Sequence, residues 1–75
     1  VIEFAVPDAG HVRLAVYDEL GRLVRVLVDG SYNVGVFTAL WDGRDEHGAE
    51  VSSGVYIYNI TAGKFIGSKK MVLLR

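Results

Sequence analysis

Residues 41–58, WDGRDEHGAEVSSGVYIY, place one tryptophan, four acidic residues, a histidine, three glycines and two tyrosines in eighteen positions. Asp42, Asp45, Glu46, His47 and Glu50 have the chemistry of metal ligands or of an acid and its base. They also suit the polar skin of a tight turn. The flanks favour the turn. Upstream, VFTALW alternates, with Phe37, Ala39 and Trp41 on one face. Downstream, VYIYNITA is rich in β-branched and aromatic residues, and Tyr56, Tyr58 and Ile60 share a face. Both flanks have the two-residue period of half-buried strands. The polar, glycine-rich middle then joins two strands. Asp42 is placed to accept hydrogen bonds from backbone N–H groups just after it, as in an Asx turn. Gly43 and Gly48 supply dihedrals that other residues resist. Tyr56, two residues before Tyr58 at the start of the penultimate strand, stands where a tyrosine corner would.

The same alternation runs through the rest of the chain. VIEFAV puts Ile2, Phe4 and Val6 on one face, and Pro7–Gly10 turns the chain. HVRLAVYD follows with Val12, Leu14 and Val16 inward, and Glu19–Arg22 reads as a hairpin turn. In LVRVLVD, Val24 and Leu27 are three apart, which predicts a β-bulge. Asp29–Gly30 reads as a turn that SYNVG prolongs. Val51 sits in a very short strand. FIGSKKMVLL is the last strand, interrupted by Gly67 and Lys69–Lys70, with Phe65, Met71 and Leu73 inward. No segment carries a helical period. The expectation is one all-β domain over residues 1–75, a seven-stranded antiparallel Ig-like or fibronectin III-like β-sandwich.

Composition narrows the function classes. The chain has 75 residues, 51% of them hydrophobic, with eight basic against nine acidic side chains and no cysteine. Disulfides and thiolate metal sites are therefore excluded, and no basic stripe suggests nucleic acid. No apolar run approaches the ~20 residues of a membrane span. A domain this small buries only about 60% of its unfolded surface, so help from a neighbouring domain or subunit is expected.

The candidate chemistry is sparse. His11 and His47 are the only histidines, and neither lies in a nucleophile motif. His11 reads as a solvated strand residue. The carboxylates Asp42, Asp45 and Glu46 crowd one loop of a chain too small for a substrate cleft, so no enzyme and no cofactor is expected. Arg44 stands where a calcium loop would carry a ligand, which leaves Asp42 and Asp45 as a weak calcium candidate. Zinc would need more than His47. Asn59-Ile60-Thr61 matches the glycosylation pattern, with Asn59 as acceptor. Lys69 and Lys70 read as guards of an edge strand. Tyr17, Tyr32 and Tyr56 are the aromatic candidates for a carbohydrate-binding face.

The pattern W-D-G-x-D-x-x-G-x-x-V-x-S-G-V-Y-x-Y, together with F-x-V-P-x-A-G-H-V-x-L-x-V-Y-D-x-L-G-R-x-V, L-V-D-G and K-K-M-V-L-L-R, resembles a bacterial Ig-like domain family. That family includes the Ig-like domain of the flagellar hook-capping protein and the C-terminal sorting domains of type IX secretion. The resemblance runs from Ile2 to Arg75. It implies that Trp41, Asp42, Gly43, Asp45, Gly48, Gly54 and Tyr56 define the fold rather than react. It further implies the C-terminal domain of a larger extracellular or cell-surface protein. The function expected first is a non-catalytic module for export, anchoring or structural display. The second is a subunit of an extracellular filament built by edge-strand exchange, with VIEFAV and MVLL as donor strands. The third is a carbohydrate-binding accessory module. The partners implied are proteins: an upstream domain, the export machinery or neighbouring subunits.

Overall fold

The computed structural model describes residues 1–74. Arg75, the last residue of the tail motif, lies outside the described residues. Six strands occur among the described residues: β1 (Ile2–Val6), β2 (Gly10–Asp18), β3 (Leu23–Tyr32), β4 (Gly35–Ala39), β5 (Gly54–Ala62) and β6 (Phe65–Leu73). They form two antiparallel sheets, β1-β4 and β3-β2-β5-β6. The seventh expected strand, around Val51, is replaced by a single bridge between Arg44 and Glu50. Val51 instead donates its N–H to the carbonyl of Gly43, 3.0 Å away.

Alternation explains the core. Ile2, Phe4 and Val6 are buried while Glu3 and Ala5 are exposed. On the central strand β2, Val12, Leu14 and Val16 are fully buried. Ala15, on the opposite face, is also fully buried, because β3 and β5 flank it at Val26 and Asn59. The inner residues form two clusters. In the first, Ile2, Phe4 and Val6 pack on Val12, Leu14, Val28, Ile60 and Ala62, closed by the ring contacts of Phe4, Tyr32 and Phe37. The second is built on Val16, Val24 and Tyr56, and Trp41 and Val51 pack against it from outside the strands.

Three local expectations are revised. β3 runs through Asp29–Gly30 as far as Tyr32, since Arg13 pairs with Asp29 and Val12 with Gly30. The Asp-Gly pair therefore serves the ladder, and the chain turns at Asn33 and Val34 instead. β6 is continuous through Gly67 and Lys69–Lys70, with unbroken register against β5. Phe65 lies on the inward face, opposite Ala62, but stays half exposed there. Irregular pairing does occur in β3, where Leu27 and Val24 are each skipped opposite β2. These two extra residues bring Val24 and Leu27 to the core despite their spacing of three.

Leu14 has no exposed surface and packs in the first cluster. Leu14→Ala is expected to cost about 2–5 kcal/mol. Urea denaturation followed by circular dichroism measures the loss.

Candidate functional site

The stretch from Trp41 to Tyr56 folds as a closed polar loop on one end of the four-stranded sheet. Asp42 Oδ1 accepts from the Arg44 N–H at 3.1 Å and from Arg25 Nη1 of β3 at 3.0 Å. Asp45 Oδ1 accepts from the N–H groups of His47 and Ala49 at 2.9 and 3.0 Å. The Asp45 N–H in turn donates to the Ala49 carbonyl at 2.9 Å. Gly43 and Gly48 sit at φ 74° and 81°, in the left-handed region where a side chain is strained. Arg44 Nη1 crosses the loop to the Gly48 carbonyl at 2.9 Å. These bonds satisfy the loop internally.

The loop also binds the sheet. Trp41 donates Nε1–H to the Arg44 carbonyl at 2.9 Å, and its ring meets Tyr56 edge-on, 5.1 Å between centroids. Tyr56 is buried and donates its hydroxyl to the Ser52 carbonyl at 2.7 Å. This bond, back to the backbone four residues upstream, is the contact that makes a tyrosine corner. Trp41 itself is only half buried, at the margin of the second cluster and not inside it. Gly54 opens β5 opposite Leu73.

Glu46 has a role that its place in a polar loop hides. Its N–H donates to the Val24 carbonyl at 3.1 Å, and its carboxylate accepts from the Val26 N–H. Both partners lie where β3 is bulged, so Glu46 satisfies backbone groups that the broken ladder leaves over. The three-residue spacing of Val24 and Leu27 was the available signal, since a bulge needs an outside hydrogen-bond partner.

The other candidates are scattered. His47 lies exposed at the loop tip. His11 bonds to Asp29 across β2 and β3. Asn59 is half buried on the outer face of β5 and donates Nδ2–H to Ser68 Oγ at 3.1 Å. Lys70 points outward, whereas Lys69 shares the face of Tyr58. Among the described residues no three His, Cys, Asp or Glu side chains converge to hold a metal ion. No helix among them is long and apolar enough to cross a membrane. Tyr17 bonds to Arg13 on the outer sheet face, Tyr32 packs on Phe4 and Phe37, and Tyr56 is in the core. They form no shared aromatic platform for a sugar.

A second polar knot closes the β2–β3 hairpin. Asp18 Oδ1 accepts from the Leu20 and Arg22 N–H groups, each at 2.9 Å, and Oδ2 accepts from Arg22 Nε at 2.8 Å. The Arg22 N–H holds the Asp18 carboxyl below its ordinary value of 3.8; partial desolvation opposes this, and the Arg22 side chain and Leu20 N–H reinforce it.

Two packed antiparallel sheets with a tyrosine corner define an Ig-like β-sandwich domain. The chain belongs to the FlgD Ig-like domain family, whose model matches residues 2–64. It is similar to the basal-body rod modification protein FlgD of Salmonella typhimurium, with 41% identity over 54 residues. The FlgD of Salmonella typhi matches equally well. The matched region is 72% of this chain and 23% of each relative, so the chain spans about a quarter of the length of the curated relatives it matches. No solved structure gives a match of comparable significance.

These matches correct the functions expected from the sequence. The relatives are flagellar, which overturns the export, anchoring or display module and the carbohydrate-binding module. The self-assembling filament subunit falls with them. The resemblance to the hook-capping Ig-like domain stands; its extension to the sorting domains does not carry the function.

Two outcomes follow from these contacts. Tyr56→Phe, which removes only the bond to Ser52, is expected to lower stability by about 1 kcal/mol in urea without changing the circular dichroism spectrum. The depressed carboxyl of Asp18 stabilises the fold above pH 3.8, its ordinary value, and that contribution is lost as pH falls through the lower folded value. Asp18→Asn is therefore expected to flatten the loss of thermal stability that sets in below pH 3.8.

Proposed function

We propose that this chain is a non-catalytic Ig-like module of a FlgD-type protein, serving the assembly of the flagellar rod and hook through contacts with other proteins. The observation that carries this reading is the family match over residues 2–64, joined by 41% identity to a basal-body rod modification protein. The site chemistry agrees with it. The carboxylates of Asp42, Asp45 and Glu46 are committed to backbone or arginine partners within the fold. A group held in this way stabilises a loop and is poorly placed to transfer protons to a substrate.

The proposal includes three further points. Residues 1–75 act as one domain of a longer polypeptide. The domain's partners are proteins of the growing flagellum. It works in the extracellular or cell-surface setting expected from the resemblance.

The test is a domain exchange in Salmonella typhimurium. Residues 1–75, which include β6, replace the Ig-like domain of the resident FlgD, and swimming in soft agar is scored. The reading predicts motile cells with normal hooks. A chimaera that is folded and stable in the cell but leaves it non-motile and hookless contradicts the reading.

A further inference from the structure

The two sheets differ in width, and the difference leaves one flank open. The four-stranded sheet ends in β6, while the two-stranded sheet that faces it ends in β1. Nothing pairs with the edge of β1 that lies away from β4 among the described residues. Beside that edge runs a groove of about 230 Å³. Its walls are Glu3, Phe4 and Ala5 of β1, and Phe65, Gly67 and Lys69 of β6; Tyr58 and Ile60 of β5 line it as well. Phe65, Gly67 and Lys69 pair with Ala62, Ile60 and Tyr58, whose side chains belong to the core. They therefore lie on the inner face of β6, at a place where the opposite sheet has no strand to cover them. Phe65 remains 49% exposed there.

We propose that this groove accepts an extended segment of a protein partner, added as a third strand to the free edge of β1. Alternate backbone groups of β1 point away from β4 and supply the ladder bonds. The groove dictates the side chains of the occupant. Phe65, Ile60 and Gly67 call for apolar residues at alternate positions. Lys69 faces the groove and makes no ion pair with any described residue, so the segment carries an aspartate or glutamate opposite it. A lysine at that position would be refused, which gives the site selectivity by repulsion as well as attraction.

The occupant is not a second copy of this chain. The candidate strand β1 would turn Ile2, Phe4 and Val6 inward and offer no carboxylate to Lys69, since Glu3 has the opposite parity. Of the other described strands, β2 and β5 are paired on both edges; β4 and β6 carry no aspartate or glutamate, and the single one of β3, Asp29, is bonded to His11. The loops between the strands lack an alternating segment. The proposal identifies a surface of the assembly module and stands on this geometry alone, so it survives or fails independently of the flagellar reading.

Two synthetic nine-residue peptides test it, TETVTVTET and TKTVTVTKT, whose symmetry fits either strand direction. Amide spectra and hydrogen exchange of the 75-residue chain are recorded with each. The acidic peptide is expected to bind and to protect alternate β1 amides, with weaker binding of the basic one. Lys69→Glu is exposed enough to leave the fold intact. It is expected to weaken the acidic peptide by roughly three- to fivefold and to strengthen the basic peptide comparably. The proposal is overturned if neither peptide protects β1 at millimolar concentration, or if both bind the native chain equally. It is also overturned if β1 becomes protected without peptide as chain concentration rises, because the edge is then taken by a second copy.

Discussion

Two strands of five residues cannot cover four strands of nine or ten, and much of this structure answers that shortfall. At about 3.4 Å per residue, β1 and β4 span roughly half the length of the sheet they face. The half they reach holds the first cluster, where Ile2, Phe4 and Val6 seal Val12 and Leu14. The other half exposes Val16, Val24 and Tyr56, which water would otherwise reach. Trp41 and Val51 cover that half from the loop. The polar stretch between them is thus the means by which a short sheet closes a long one.

Seen this way, the carboxylates have a definite physical purpose. A loop placed over a hydrophobic cluster must satisfy its own backbone. Asp42 and Asp45 accept the N–H groups inside the loop, and Glu46 accepts one from β3. Tyr56 ties the end of the loop to the strand that follows. The aromatic contact between Trp41 and Tyr56 adds about 0.5–1.5 kcal/mol beyond simple burial. The loop's charged composition reflects hydrogen-bond demand.

Much of the fold was legible in the sequence because alternation has one meaning when a single face is buried. Val12, Leu14 and Val16 announce their strand without ambiguity, and so do Tyr56, Tyr58 and Ile60. The bulge in β3 was legible from Val24 and Leu27. The errors arose where local signals met tertiary demand. Asp29–Gly30 resembles a turn, yet β2 supplies partners that hold it in the ladder. Val51 resembles a strand, but its neighbours form only one bridge. Lys69 reads as an edge-strand guard, and it is exposed on the edge strand β6, but only its register opposite Tyr58 shows that it also lines the groove. Glu46 could not be placed from its neighbours in sequence, because its partners Val24 and Val26 lie 22 and 20 residues away in β3.

The central claim is that β2 and β5 form a closed, fully paired centre while the flank between β1 and β6 is open. Native-state hydrogen exchange, read amide by amide, tests it most directly. The account predicts the slowest exchange in β2 and β5. In β1 it predicts protection that alternates along the strand, since only the groups facing β4 are bonded. Uniform protection of all β1 amides in the monomer would show that the edge is already paired, and would contradict the account.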